Sequence, residues 1–201
     1  MRKYILLLLA ISVTGLLLIS SCEKDETIYQ DYIIAGSITD GLIYHDYIPD
    51  DTLYSSQYKS DMSDVEREID INNDGVYDFR FISNYSESPA HSKSLNRIIT
   101  LNNSAIIIAP NEAEIIDTLL TDTRIDANSN WKSGDCLLSF TYFEDYQNDT
   151  TNGLWRKVKD SFVGVRVVAD DNIFYGWISV EMTNYNITII KAYACTNGVH
   201  E

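Results

Sequence analysis

Basic side chains are what this chain most lacks: 15 Lys and Arg stand against 30 Asp and Glu, a formal net charge of −15 over 201 residues. Coulomb repulsion excludes nucleic acid and anionic lipid surfaces as partners for so acidic a chain, whereas a cation-rich exterior suits it. Histidine is scarcer still, at three residues. His45, His91 and His200 lie far apart, and no His-x-x-x-His or paired-cysteine spacing supplies a zinc site. There is no Gly-x-Ser-x-Gly elbow, no glycine loop to cradle phosphate and no dinucleotide fingerprint, so the common nucleophilic and nucleotide chemistries have no sequence support. After Ile19 no apolar run is long enough to span a bilayer. What is plentiful is tyrosine, 14 residues. With many β-branched residues it favours pleated, half-buried surfaces and hence an all-β domain.

The N-terminus carries an address. Met1-Arg2-Lys3, an apolar run from Tyr4 to Ile19 and the small pair Ser20-Ser21 form a secretory signal; the same run left uncut would be a membrane anchor. Ile19-Ser20-Ser21-Cys22 resembles the lipobox of bacterial lipoproteins, in which the cysteine is lipidated and the chain is cut just before it. The resemblance implies a signal peptide over 1–21 and Cys22 as the lipid-bearing first mature residue. Glu23-Lys24-Asp25-Glu26 resembles the lysine-plus-acid export tag behind the lipidated cysteine of Bacteroidetes surface lipoproteins, the plainer alternative being a solvated linker. Together they imply an outer-membrane lipoprotein facing outward, with 22–29 as lipidated cysteine and tether and 30–201 as one folded domain. Removing 1–21 takes two basic residues and no acid, so 13 bases face 30 acids, net −17 over 180 residues. That length fits one domain with a sizeable core.

Short extended segments dominate. Val76 to Ser83 alternates Tyr77, Phe79 and Phe81 with Asp78 and Arg80, the period of a half-buried strand. Cys136 to Phe143, Phe162 to Ala169, Ile173 to Glu181 and Ile187 to Tyr193 read likewise; further strands are expected at Ile28 to Ile34, Leu42 to Tyr47, Val65 to Ile71, Ile98 to Leu101 and Ala105 to Ile108. Asp170-Asp171-Asn172 reads as a hairpin turn. Only Asn111 to Leu120 looks helical, from the capping-box spacing of Asn111 and Glu114 and a shared face of Ile115, Ile116, Leu119 and Leu120. The expectation is a single β-sandwich, jelly-roll-like, with at most one short helix.

One constellation carries recognisable chemistry: Asp70-Ile71-Asn72-Asn73-Asp74-Gly75-Val76-Tyr77-Asp78. Calcium takes six to eight oxygen ligands, and side-chain oxygens at positions 1, 3, 5 and 9 with a carbonyl at 7 converge on one point. Those are Asp70, Asn72, Asp74, Asp78 and the carbonyl of Val76, with Gly75 free to make the sharp turn. An EF-hand would need a glutamate at position 12, which is Phe81, and a following helix where the pattern here is a strand. The loop resembles instead the calcium loops that cap hairpins in extracellular β proteins such as integrin-type propellers. The alternative is an acidic hairpin turn, built from the same residue types.

Other residues carry weaker signals. Glu68-Ile69-Asp70-Ile71 resembles the opening of the Glu-x-Asp-x-x-Glu strand of laminarinase-like glycosidases, but the place of the last glutamate falls on Asn72 or Asn73, and an amide cannot serve as the acid/base of a retaining pair. Trp131 and Trp155, in polar surroundings, are candidates for stacking against a glycan, or else are packing residues. If Cys22 bears lipid, Cys136 and Cys195 remain as an even pair, either bridged by a disulfide or two small buried apolar residues. Asp51-Thr52-Leu53, Asp117-Thr118-Leu119 and Asp149-Thr150-Thr151 resemble the aspartate-threonine acceptor of O-glycosylation in Bacteroidetes, which implicates Thr52, Thr118 and Thr150.

Tyr44-His45-Asp46-Tyr47-Ile48-Pro49-Asp50, the Asp70 to Asp78 loop running into Phe79-Arg80-Phe81, then Phe162-Val163-Gly164-Val165-Arg166, Tyr175-Gly176-Trp177-Ile178 and Ile187-Thr188-Ile189 together resemble a group of uncharacterised secreted bacterial proteins. The resemblance implies an extracellular β-sandwich with no assigned activity. The expected role is a surface-anchored, calcium-stabilised binding or scaffold module that contacts a glycan or a cell-surface protein. The alternative is an extracellular polysaccharide-acting hydrolase whose carboxylates are assembled by the fold.

Overall fold

A computed structural model describes residues 31–55, 64–87, 91–144 and 148–200; the signal segment, Cys22 and the tether lie outside the described residues. The strands are β1 (Tyr32–Ile34), β2 (Ile43–Tyr54), β3 (Val65–Ile69), β4 (Phe79–Glu87), β5 (His91–Thr100), β6 (Ala105–Ile107), β7 (Arg124–Asp126), β8 (Trp131–Lys132), β9 (Asp135–Glu144), β10 (Asn148–Asn152), β11 (Ser161–Ala169), β12 (Asn172–Asn184), β13 (Ile187–Cys195) and β14 (Val199–His200). Among the described residues there is no helix. The protein is an all-β sandwich.

One sheet runs β10-β9-β5-β4-β3; the other runs β2-β13-β12-β11-β6-β8, with β14 pairing β12. Their facing sides supply one core. Ile69, Phe79, Phe81, Ile98 and Leu138 from the first sheet meet Val163, Val165, Ile178, Val180 and Ile190 from the second, all buried. Alternation sorts β12 cleanly: Ile178, Val180 and Met182 point into this core, while Tyr175 and Trp177 point outward. Those outward rings do not meet solvent, because the small β1-β7 ribbon covers that face with Ile33 and Ile125 in a second apolar cluster. Gly176 between them is required by close approach: a Cβ there would stand 2.7 Å from the Ala194 carbonyl oxygen and 2.9 Å from the Ile71 side chain. The Tyr-Gly-Trp-Ile run is thus the place where ribbon, sheet and the Ile71 segment meet.

The two ends of the interior differ in chemistry. Near the β3–β4 turn it is apolar. At the opposite end Ser83, Ser94, Asn96, Ser139 and Thr141 are buried on the inner side of the first sheet. Asn96 holds them together: its Oδ1 accepts from Ser83 Oγ at 2.7 Å, and its Nδ2 donates to Ser139 Oγ at 3.2 Å and to the Tyr185 carbonyl at 2.7 Å. A buried amide is tolerated because it is satisfied on both sides.

The segment read as a helix, Asn111 to Leu120, is irregular and extended. Asn111 takes a left-handed φ of 66°, which an N-cap does not use, and the backbone bonds outward: Ile116 N donates to Leu137 O, Asp117 N to Ile107 O and Leu119 N to Phe162 O. Ile115, Ile116 and Leu119 are buried as expected, but by sheet-edge bridges rather than by one helical face. Tertiary pairing outweighs a weak local propensity here.

Candidate functional site

The Asp70–Asp78 segment closes the β3–β4 hairpin. The register runs from Val65 opposite Ser83 to Ile69 opposite Phe79, and Asp78 N donates to the Ile69 carbonyl at 2.8 Å, so the ladder is sealed immediately behind the loop. Ile71 is the anchor, 1 % exposed in the main core. The Cys195 thiol donates to its carbonyl, Sγ to O 3.1 Å. Asn73 and Gly75 both take positive φ, 58° and 87°, which winds the chain tightly over five residues.

The winding gathers oxygens. Asp74 N lies 3.2 Å from Asp70 Oδ1 and 3.3 Å from Asn72 Oδ1, so those two oxygens flank a single atom. Asp70 Oδ2 accepts from Gly75 N at 2.8 Å and Asp74 Oδ1 from Val76 N at 2.8 Å, while Asn72 Nδ2 donates to Asp74 Oδ2 at 2.9 Å. Asp78 stands on the buried side, 2 % exposed, its Oδ2 accepting from Ile71 N at 2.9 Å. Burial pushes its carboxyl up to about 6, against the hydrogen bond from Ile71 and with the added repulsion of Asp74 and Asp70. Among the described residues no lysine or arginine pairs with Asp70, Asp74 or Asp78.

Three carboxylates therefore share one field without a counter-charge, yet they do not close on one point. Among the described residues no three His, Cys, Asp or Glu side chains are gathered as a metal cluster. The oxygens of Asp70, Asn72 and Asp74 instead cap the loop's own N–H groups. Each carboxylate oxygen accepting one such bond keeps a second lone pair, so the donor set of hard oxygens suits a hard cation such as calcium.

The other sequence-predicted residues fall elsewhere. Trp155, expected in a polar loop, is fully buried; its Nε1 donates to the Ile116 carbonyl at 3.2 Å, and it is a core residue rather than an open sugar platform. The reason is local: Gly153, at φ 89°, lets the loop fold flat against the Leu138 carbonyl and drives the ring inward. Trp131 is half-buried, its Nε1 donating to Asp126 O at 3.0 Å and the Arg166 guanidinium lying 5.2 Å from its ring centre. Cys136 and Cys195 are both buried free thiols, not a disulfide. They belong to different sheets, Cys136 opposite Ile98 and Cys195 opposite Ile43, and each packs as a small apolar side chain in the core. Burial pushes Cys136 up to about 11 and Cys195 further, which keeps both as unreactive thiols. Thr52 on β2 and Thr150 on β10 are exposed, and Thr118 is half-buried. Glu68 is tied to Arg80, Oε1 to Nη2 2.7 Å.

Sequence reading missed the neighbours of the loop. The β5–β6 turn bonds to it twice, Leu101 N to Asp78 O at 2.7 Å and Asn102 Nδ2 to Tyr77 O at 3.1 Å. Ser104, fully buried, has its hydroxyl near Asp78, close enough to favour the carboxylate yet making no hydrogen bond of ordinary geometry. Leu101-Asn102-Asn103-Ser104 between two short apolar runs signals a turn, but nothing in it announces what the turn touches. No family model, curated protein or solved structure matches the chain.

Proposed function

We propose that this protein is a lipid-anchored surface module of the outer membrane, its sandwich stiffened by calcium in the Asp70–Asp78 loop, whose work is to bind a glycan or a surface protein rather than to catalyse a reaction. The observation that carries it is the uncompensated Asp70, Asp74 and Asp78 triad wound around one turn of chain. Repulsion among these groups favours any site-bound cation, and the Asn72 oxygen and the Val76 carbonyl complete an all-oxygen set. Cys22 and the charged tether behind it supply the anchor. The laminarinase-like reading of Glu68 finds no support, since Glu68 is held by an arginine and the partner position of that pair carries an amide.

Calorimetric titration of the metal-freed mature chain tests the reading. One calcium per chain is expected, with magnesium much weaker because it resists giving up its water for a flexible oxygen loop. No heat of binding with calcium up to millimolar concentration would overturn it.

A further inference from the structure

Strand β10 ends at Asn152, which pairs with Phe140, and the next residue is Gly153. The sheet edge therefore runs out on an Asn-Gly pair. Gly153 N stands outside the ladder and donates instead to Asn152 Oδ1 at 2.9 Å, so the side-chain amide curls back over the nitrogen that follows it. Its Cγ lies one bond behind Oδ1, within roughly 4 Å of that nitrogen. Rotation about the side-chain bonds closes the gap to the about 3 to 3.5 Å from which reaction starts. Asn152 is exposed, and among the described residues no group holds its Nδ2.

Two other asparagines isolate what matters. Asn184 makes the same contact, Tyr185 N to Asn184 Oδ1 at 2.9 Å, but its successor carries a side chain that crowds the nitrogen, which glycine does not. Asn197 lies in Thr196-Asn197-Gly198, the same tripeptide as Thr151-Asn152-Gly153, but its Nδ2 donates to the Gly41 carbonyl, which ties the amide to another loop. Among these three, Asn152 alone combines the contact, an open glycine nitrogen and an untied amide.

The chemistry balances with water as the one reactant. Base takes the proton of Gly153 N, the nitrogen bonds to Asn152 Cγ, and Nδ2 leaves as ammonia. Water then opens the resulting cyclic imide at either carbonyl, giving aspartate or an isoaspartyl link. The isoaspartyl link routes the main chain through the side chain and adds a methylene between β10 and Trp155. There is no room for it. A Cβ on Gly153 would already stand 2.3 Å from the Leu138 carbonyl oxygen, and Trp155 is fixed by its N to Leu138 O at 3.3 Å and its Nε1 to Ile116 O at 3.2 Å.

We propose that Asn152-Gly153 is a self-modifying site that converts through a cyclic imide without an enzyme, and that its isoaspartyl product loosens the Trp155 corner of the sandwich. The site is independent of the Asp70–Asp78 loop and of any ion there.

The test is to age the mature chain in warm, mildly alkaline water enriched in heavy oxygen, then digest it and read the peptides by mass spectrometry. Asn152 is expected to exchange its amide for a labelled acid about tenfold faster than Asn197 or Asn184. Its lead over Asn197 should vanish in urea, where the two Thr-Asn-Gly segments are equivalent. An unchanged Asn152, or equal rates at Asn152 and Asn197 in the folded chain, would overturn the site. The isoaspartyl fraction of the aged chain is expected to melt below the starting protein. Asn152→Asp, which gains the charge without the added link, should melt as wild type, and aged Asn152→Ser should keep its melting temperature. An isoaspartyl chain that melts as wild type, or an Asn152→Asp variant that melts as low as the isoaspartyl chain, would overturn the loosening.

Discussion

Asp78 is the residue on which the loop turns. It is buried and hydrogen-bonded to Ile71 N, and its folded carboxyl titrates at about 6 instead of 3.8. Because the folded value is raised, the metal-free folded chain holds a proton that the unfolded chain has released between those two values. The stability linked to this group is therefore complete below the unfolded value and is lost as pH rises through about 6. Asp78→Asn keeps an oxygen for Ile71 N and removes the charge. In chelator at neutral pH the variant is expected to be more stable than wild type by about 3 kcal/mol, the advantage vanishing in acid, while its response to calcium shrinks. Urea melts at two pH values in chelator and in calcium read both effects; a variant less stable than wild type in chelator at neutral pH would contradict the assignment.

At the scale of elements, β4, β5 and β9 carry two chemistries along one inner face, apolar toward the loop and polar toward the far end. Asn96 on β5 joins Ser83 on β4, Ser139 on β9 and the Tyr185 carbonyl between β12 and β13. Asn96→Ala leaves those buried groups unpaired and is expected to cost about 2 to 4 kcal/mol, read as a lower urea midpoint at unchanged slope. A loss below about 1 kcal/mol would mean that the network is not holding the sheets together. The same strands show what the sequence makes legible. Alternation located β9, β11, β12 and β13 to within a few residues and placed the hairpin that the Asp70 loop closes, because a period of two is a local property. It placed Tyr77 with Phe79 and Phe81, whereas Tyr77 lies in the loop and is 53 % exposed. Ser83, Ser94 and Ser139 were invisible as core because hydroxyls at inward positions look like solvent-facing ones until the neighbouring sheet is known. β7, β8 and β14 are too short to carry a period, and the helical pattern at Asn111 to Leu120 was local agreement overruled by long-range bridges. Trp155 shows the same limit: polar neighbours in sequence did not describe its neighbours in space.

For the whole molecule, the sandwich carries an acidic loop at one end, and the anchor at Cys22 is a proposal. The anchor makes its own prediction. Cells fed a fatty-acid analogue should label the wild-type chain and not Cys22→Ala, and protease added to intact cells should remove the labelled protein; an unlabelled wild type would contradict lipidation. The central claim is that calcium in the Asp70–Asp78 loop stabilises the fold. Binding to the native state alone adds RT ln(1 + [L]/Kd), about 2.7 kcal/mol at a hundredfold excess over Kd. For a domain of this size that is a rise in melting temperature on the order of 5 to 10 °C. The direct measurement is the melting temperature of the mature chain in calcium and in chelator, beside Asp74→Ala, which removes a central ligand and leaves Gly75 free to turn. The account predicts that rise for wild type and little of it for the variant; equal melting temperatures of the wild type in calcium and in chelator would contradict it.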